Sequence, residues 1–279
     1  MTMQLRVRHT TGYTYDAGAV ASYNEARMTP LTTGGQFVLH TRMDVAPVPW
    51  MFAYQDYWGT AVTAFEVHEM HTDLRVVSTS LVETSRSEPT PHGLAWEELP
   101  AVRDELIELL GIDNWVKPAP GLEEEVARLG AASATPSEFA RSVCALVHSQ
   151  IKYVPGSTEV TTSAADAWEA KSGVCQDMAH MTIGCLRSVG IPARYVSGYL
   201  HPSKDPVIGE TVAGESHAWI EWWDGEWIGF DPTNQVFPGN RHVMVARGRN
   251  YRDCPPLRGI YSTAGGSELF VGVEITRTR

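Results

Sequence analysis

Two hydrophobic periods divide this chain. Up to Thr84 the apolar residues alternate with polar ones, the two-residue repeat of half-buried strands. Leu5 and Val7 alternate with Arg6 and Arg8, and Phe37 to Met43, Phe65 to Glu69 and Leu74 to Val82 carry the same signal. Turn formers such as Thr32-Thr33-Gly34-Gly35 separate them, so residues 1–84 are expected to form a small sandwich-like β domain. The polar run from Thr84 to Pro91 contains Pro89 and Pro91 and reads as a linker. Residues 85–134 combine this linker with a helical segment, Val102 to Leu110, stopped by Gly111.

The period then becomes helical. Thr135 is a candidate N-cap, Pro136 the first helical residue and Glu138 the partner in a capping box. Phe139, Val143, Leu146 and Val147 follow at helical spacing. A second helix is expected from Cys175 to Val189, with Met178, Cys185, Leu186 and Val189 as its buried face and Gly190 and Pro192 ending it. Strands follow at Ala193 to Leu200, Ser216 to Trp223, Glu226 to Asp231, His242 to Ala246 and Leu269 to Ile275. The chain is thus expected to be α+β, a β domain followed over 135–279 by helices packed on a mostly antiparallel sheet.

Charge narrows the range of partners. Twenty-two basic and thirty-three acidic residues among 279 give a net charge of −11, which disfavours nucleic acid and anionic membrane. No apolar stretch has the length of a membrane span. The first residues alternate instead of forming the apolar core of a signal peptide, which implies a cytoplasmic protein. Four cysteines are too few for a disulfide framework, and in a reducing compartment they remain free thiols.

One cysteine stands apart. In Lys171-Ser172-Gly173-Val174-Cys175-Gln176-Asp177, Gly173 allows a tight approach and Cys175 falls at a helix start. Unpaired N–H groups there stabilise a thiolate and can donate to an oxyanion. Cys185 and Cys144 instead lie within amphipathic helices and Cys254 in a proline-rich loop, as small buried hydrophobes do.

Residues 216–231 read as a hairpin turning at Asp224-Gly225. A three-residue loop, Trp223-Asp224-Gly225 with Gly225 left-handed, would pair Trp222 with Glu226, Ala218 with Phe230 and His217 with Asp231. The last pair would then share a face, with Ala218, Ile220, Ile228 and Phe230 on the other. A two-residue loop would put His217 and Asp231 on opposite faces. The longer loop leaves the cleaner apolar face. His217 can then hold an ion pair with Cys175, and Asp231 can orient the imidazole. Gln150 and Tyr153 are candidates for a second oxyanion donor, and His180 and Trp219 for the pocket wall. Packing is the competing role for each. Asp177 reads as a first-turn helix charge. A metal site from Cys175, His180 and His217 lacks the usual ligand spacings.

Several segments together are similar to a known family. Gly173 to His180, Gly190 to Tyr199, His217-Ala218-Trp219 and Asp231-Pro232-Thr233-Asn234 resemble bacterial transglutaminase-like proteins, described as cysteine proteases. Asn24 to Pro30 and Asp56 to Gly59 resemble the β domain that precedes their core, and Gly248 to Asp253 continues the match. The resemblance implies a papain-like core, Cys175 as nucleophile, His217 as base, Asp231 as orienting acid, and no metal or organic cofactor. It implies a peptide or protein substrate bearing an amide group. Amide hydrolysis through a thioester is slightly favoured over glutamine transamidation, and a catalytically silent binding module of the same fold is the remaining alternative.

Overall fold

The structure, a computed structural model, describes residues 2–90 and 92–279. Strands β1 (Met3–Ala26), β2 (Gln36–Ala46), β3 (Trp50–Gln55), β4 (Ala61–Val67) and β5 (His71–Thr84) come first. Then follow α1 (Leu99–Val102), α2 (Leu122–Ala132), α3 (Pro136–Gln150), β6 (Lys152–Tyr153), α4 (Ala164–Ala170), β7 (Ser172–Gly173) and α5 (Cys175–Ser188). The chain closes with β8 (Ala193–Leu200), β9 (Thr211–Trp223), β10 (Trp227–Phe230), β11 (His242–Gly248), β12 (Leu257–Thr263) and β13 (Ser267–Arg277). The arrangement is α+β, as the two hydrophobic periods imply.

β1 is central to the N-terminal region. Its first half lies between β5 and β13, and its second half between β4 and β12. Leu5 and Val7 are buried while Arg6 and Arg8 are exposed, the expected alternation. The last two strands, grouped by sequence with the core, therefore pair with the first strand: Leu5 opposes Arg277 and Tyr15 opposes Ser267. β13 also pairs with β9, so one path of strands runs β11-β8-β9-β13-β1-β4-β3.

The helical core forms where the sequence indicates. Thr135 caps α3 by accepting the Glu138 N–H at 3.2 Å, while Glu138 Oε2 returns to the Ala134 N–H at 2.8 Å, one residue before the cap. Phe139, Val143 and Val147 of α3 and Met178, Cys185 and Leu186 of α5 share one core with Ala218, Ile220, Ile228 and Phe230. Burying each of the larger side chains stabilises the fold by about 1.5–3 kcal/mol. Trp222 Nε1 donates to Ser137 Oγ at 2.8 Å and ties α3 to the sheet. Gly190, left-handed at φ 86°, ends the turn after α5.

Two expectations need correction. Val102 to Leu110 is not a continuous helix: α1 ends at Val102 and a short 3-10 turn covers Ile107–Leu109. Within this stretch only Leu109 is buried, too little to repay helix nucleation. The hairpin register is also different. Trp223 opposes Trp227 and Ile220 opposes Phe230, so the loop is Asp224-Gly225-Glu226, closed by a 2.9 Å bond from the Asp224 N–H to the Glu226 carbonyl. Gly225 is left-handed as expected, at φ 83°. The register is displaced by an even number of residues, so every side chain keeps its face.

Candidate active site

Cys175 is placed by the turn before it. β7 runs parallel to β6, and the Val154 N–H bonds the Gly173 carbonyl at 3.0 Å. A Cβ on Gly173 would lie 2.8 Å from Asp177 Oδ2, so that position has room only for glycine. The same Oδ2 accepts the Val174 N–H at 2.7 Å and the Thr158 hydroxyl at 2.6 Å. Asp177 thus caps α5, the structural role expected for it, and leaves Cys175 as the first helical residue. The first N–H groups of such a helix have no carbonyl of their own to bond. Cys175 is partly exposed, whereas Cys144, Cys185 and Cys254 are buried. Burial pushes the Cys185 thiol up to about 12 and raises those of Cys144 and Cys254 as well.

His217 of β9 connects two groups. Its interaction with Cys175 favours the charged imidazole. Nε2 bonds Asp231 Oδ2 at 2.7 Å, which leaves Nδ1 for the sulfur. Asp231, fully buried, lies just beyond β10 and shares the His217 face despite the shifted register. Its carboxylate accepts from the backbone N–H groups of Thr233 (2.9 Å) and Asn234 (3.1 Å), from Asn234 Nδ2 (2.7 Å) and from His242 Nε2 (3.2 Å).

A cleft of about 590 Å3 opens over Cys175 and His217, with Tyr153, Tyr195, Gln176, Glu215, Val174 and Val273 among its walls. The comparisons with known proteins fit this geometry. Residues 124–232 match the transglutaminase-like superfamily, and residues 5–83 match the bacterial transglutaminase-like N-terminal region. A protein of Mycobacterium leprae, described as uncharacterized, is 45% identical over 279 residues, spanning 98% of this chain and 99% of its own. The chain belongs to the transglutaminase-like superfamily. A crystal structure from Cytophaga hutchinsonii, described as a "putative cysteine protease", shares the fold: TM-score 0.79 at 22% identity, covering 100% of this chain and 92% of that one. A protein-glutamine gamma-glutamyltransferase of Pseudomonas aeruginosa is 37% identical over 102 residues, 33% of this chain and 15% of its own.

Within this transglutaminase-like core, electrostatics favour a charged His217 beside a charged Asp231. Burial opposes a charged His217, but hydrogen bonds and attraction from Asp231 and Cys175 outweigh it and raise the imidazole to about 10. Burial likewise opposes ionisation of Asp231, yet its bonds to His217 and His242 hold the carboxyl well below the usual carboxylate range. Tyr153 stays protonated: burial and the negative fields of Cys175, Glu215 and Asp231 push its phenol up to about 12.

The other expected site residues divide. Tyr153 lines the cleft. Gln150 does not: it ends α3 on an exposed last turn with His148 and Ser149. His180 is fully buried away from the cleft, where its Nε2 accepts the Tyr251 N–H at 3.1 Å and its ring packs 5.2 Å from Tyr195. Burial, then Arg187, lowers its imidazole to about 3. Trp219 is also fully buried and walls no part of this cleft, backing His217 and His242 at ring distances of 6.2 and 5.4 Å.

Sequence reasoning did not find His242 or assign a role to Asn234. His242 read only as the first residue of a strand, and nothing local links it to Asp231. The atoms of His217, Asp231 and His242 that could hold a metal lie within 4.8 Å of one another, a different trio from the one weighed by sequence. Their hydrogen bonds account for the clustering. His242 Nδ1 accepts the Gly239 N–H at 3.2 Å, so Nε2 carries the proton and donates it to Asp231. Among the described residues no helix is long and apolar enough to cross a membrane.

Proposed function

We propose that this chain is a cysteine-nucleophile enzyme that cleaves amide bonds of peptides or proteins through a thioester, with water as the preferred acceptor. The observation that carries the reading is that Cys175 and His217 share one cleft wall while His217 Nε2 bonds a fully buried Asp231 at 2.7 Å. The sulfur attacks the amide carbonyl carbon, a C–S bond forms and the carbonyl electron pair moves to oxygen. The N–H groups at the start of α5 and the hydroxyl of Tyr153, which lines the same cleft, are the donors proposed for that oxyanion. The oxyanion collapses, the C–N bond breaks and the leaving nitrogen takes the imidazolium proton of His217. Neutral His217 then removes a proton from water, whose oxygen replaces sulfur and restores the ion pair. Asp231 orients the ring throughout.

A second reading, transfer to an amine, is favoured by Glu215. It is the acidic side chain among the described residues of the cleft wall, and its carboxylate would attract a cationic acceptor. The Pseudomonas relative named as a protein-glutamine gamma-glutamyltransferase lends this reading partial support. Intact-mass measurement after incubation with a peptide library tests the shared first step. A covalent acyl adduct on the parent and none on Cys175→Ala is expected, and an equal yield on both would overturn the assignment. Ammonia release measured against amine incorporation then separates water from amine as the acceptor.

A further inference from the structure

The sheet face that carries His217 continues into a second cavity. Along β9 the next residues on that face are Trp219 and Glu221. Glu221 pairs with Arg194 of β8 on one side and Gly229 of β10 on the other. Over them lies a space of about 710 Å3, walled in part by Arg86, Arg194, Arg247, Glu221, Trp219 and Trp227.

The charge of this space opposes that of the chain. The whole protein carries −11, yet three guanidinium groups face the cavity against one buried carboxylate, Glu221. Glu226, at the wall, is exposed and engaged with His92 at 3.1 Å. Arg86 is committed to the fold: Nη1 donates to the Gly239 and His242 carbonyls and Nη2 to Gln36 Oε1 at 2.7 Å. Arg194 and Arg247 both approach Glu221 through Nε, at 2.6 and 3.4 Å. Among the described residues their terminal nitrogens have no hydrogen-bond partner. The Arg194 guanidinium lies 3.9 Å over the Trp227 ring, which fixes the plane of its fork. Trp219 Nε1 is buried and unpartnered. Burial lowers Arg86 to about 10 and lowers Arg194 as well, against the raising effect of Glu221.

We propose that this cavity binds a small organic anion, a carboxylate joined to an apolar or aromatic body. Guanidinium forks match a carboxylate with paired hydrogen bonds, and the two open forks here belong to Arg194 and Arg247. The unpartnered indole N–H of Trp219 adds a donor, and the partly exposed Trp227 offers apolar surface beside Arg194. The volume lies in the range of about 300–1,000 Å3 typical of small-molecule sites, far more than an inorganic ion fills. An occupant would rest behind the triad, because Trp219 packs on His242 and the His242 carbonyl holds Arg86.

The test is a titration of the full chain with benzoate, succinate and inorganic phosphate at constant ionic strength, read by tryptophan fluorescence and unfolding temperature. Benzoate is expected to give a saturable response and raise the unfolding temperature, with phosphate weaker. The double variant Arg194→Gln/Glu221→Gln, which leaves no unpaired carboxylate, and the single variant Arg247→Gln are expected to weaken benzoate at least tenfold. Benzoate should also protect Arg194 and Arg247 of the parent from phenylglyoxal, read by peptide mass, which locates the site without any substitution. No saturable response to either carboxylate, phosphate binding more tightly than both, unchanged affinity in the two variants, or absence of protection would each overturn the proposal.

Discussion

His242 donates a proton from Nε2 to Asp231 at 3.2 Å because its Nδ1 is occupied by the Gly239 N–H. The direction of that bond settles what His242 is: a neutral donor that keeps Asp231 ionised and aimed at His217. Burial, with the charges of His217 and Arg86, lowers the His242 imidazole despite the raising effect of Asp231, consistent with the neutral form. Replacing His242 with Phe should lower kcat about tenfold or more, the scale of one hydrogen bond to a charged group, with KM little changed. His242→Gln, which can place an amide N–H near the same point, should recover most of the loss. Equal activity in the parent and the Phe variant would show that Asp231 does not need this donor.

Cys175→Ala should reduce amide cleavage at least about 10³-fold while circular dichroism stays that of the parent. Iodoacetamide under native conditions should label Cys175 first, since the other three thiols are buried. Slow, even labelling of all four would instead favour a silent binding module.

The pH dependence follows from His217. Its imidazolium is held to about 10, so kcat/KM should persist through neutral pH and fall on the alkaline side near that value. Asp231→Asn should draw the alkaline limb down towards the ordinary imidazole value of about 6.5. Folding increases the affinity of His217 for its proton. The stability it lends is therefore complete below about pH 6.5 and is lost as pH climbs through about 10. Asp231 acts with the opposite sign: its contribution is present above the usual carboxylate range and fades as acid takes the pH below it. Urea unfolding measured across pH would expose an inverted order.

Gly173→Ala should be more damaging than its size suggests. Its new methyl group would meet Asp177 Oδ2 at 2.8 Å and displace the cap of α5. A loss of about 1–3 kcal/mol is expected for such overpacking, together with lost activity as the Cys175 turn moves. A variant as stable and as active as the parent would count against the capping role.

Local chemistry was enough to place Cys175. A glycine turn, a helix start and an acidic residue two positions on are all close in sequence, and α5 begins where they indicate. The shared face of His217 and Asp231 was also legible, because strand side chains alternate and an even register shift preserves the alternation. The exact register was not, since the Asp224-Gly225 turn admits loops that differ by one residue on either side. Gln150 was misplaced because proximity in sequence to Tyr153 says nothing about the direction of the last turn of α3.

The amino-acid sequence by itself determined the α+β order of elements, the start of α5 at Cys175 and the common face of the imidazole and carboxylate, all set by short-range patterns. Tertiary structure decided that β13 returns to β1, that His242 steadies Asp231, and that Arg86, Arg194 and Arg247 meet around Glu221. Those relationships join residues far apart in the chain, and they exist only once the strands that carry them have paired.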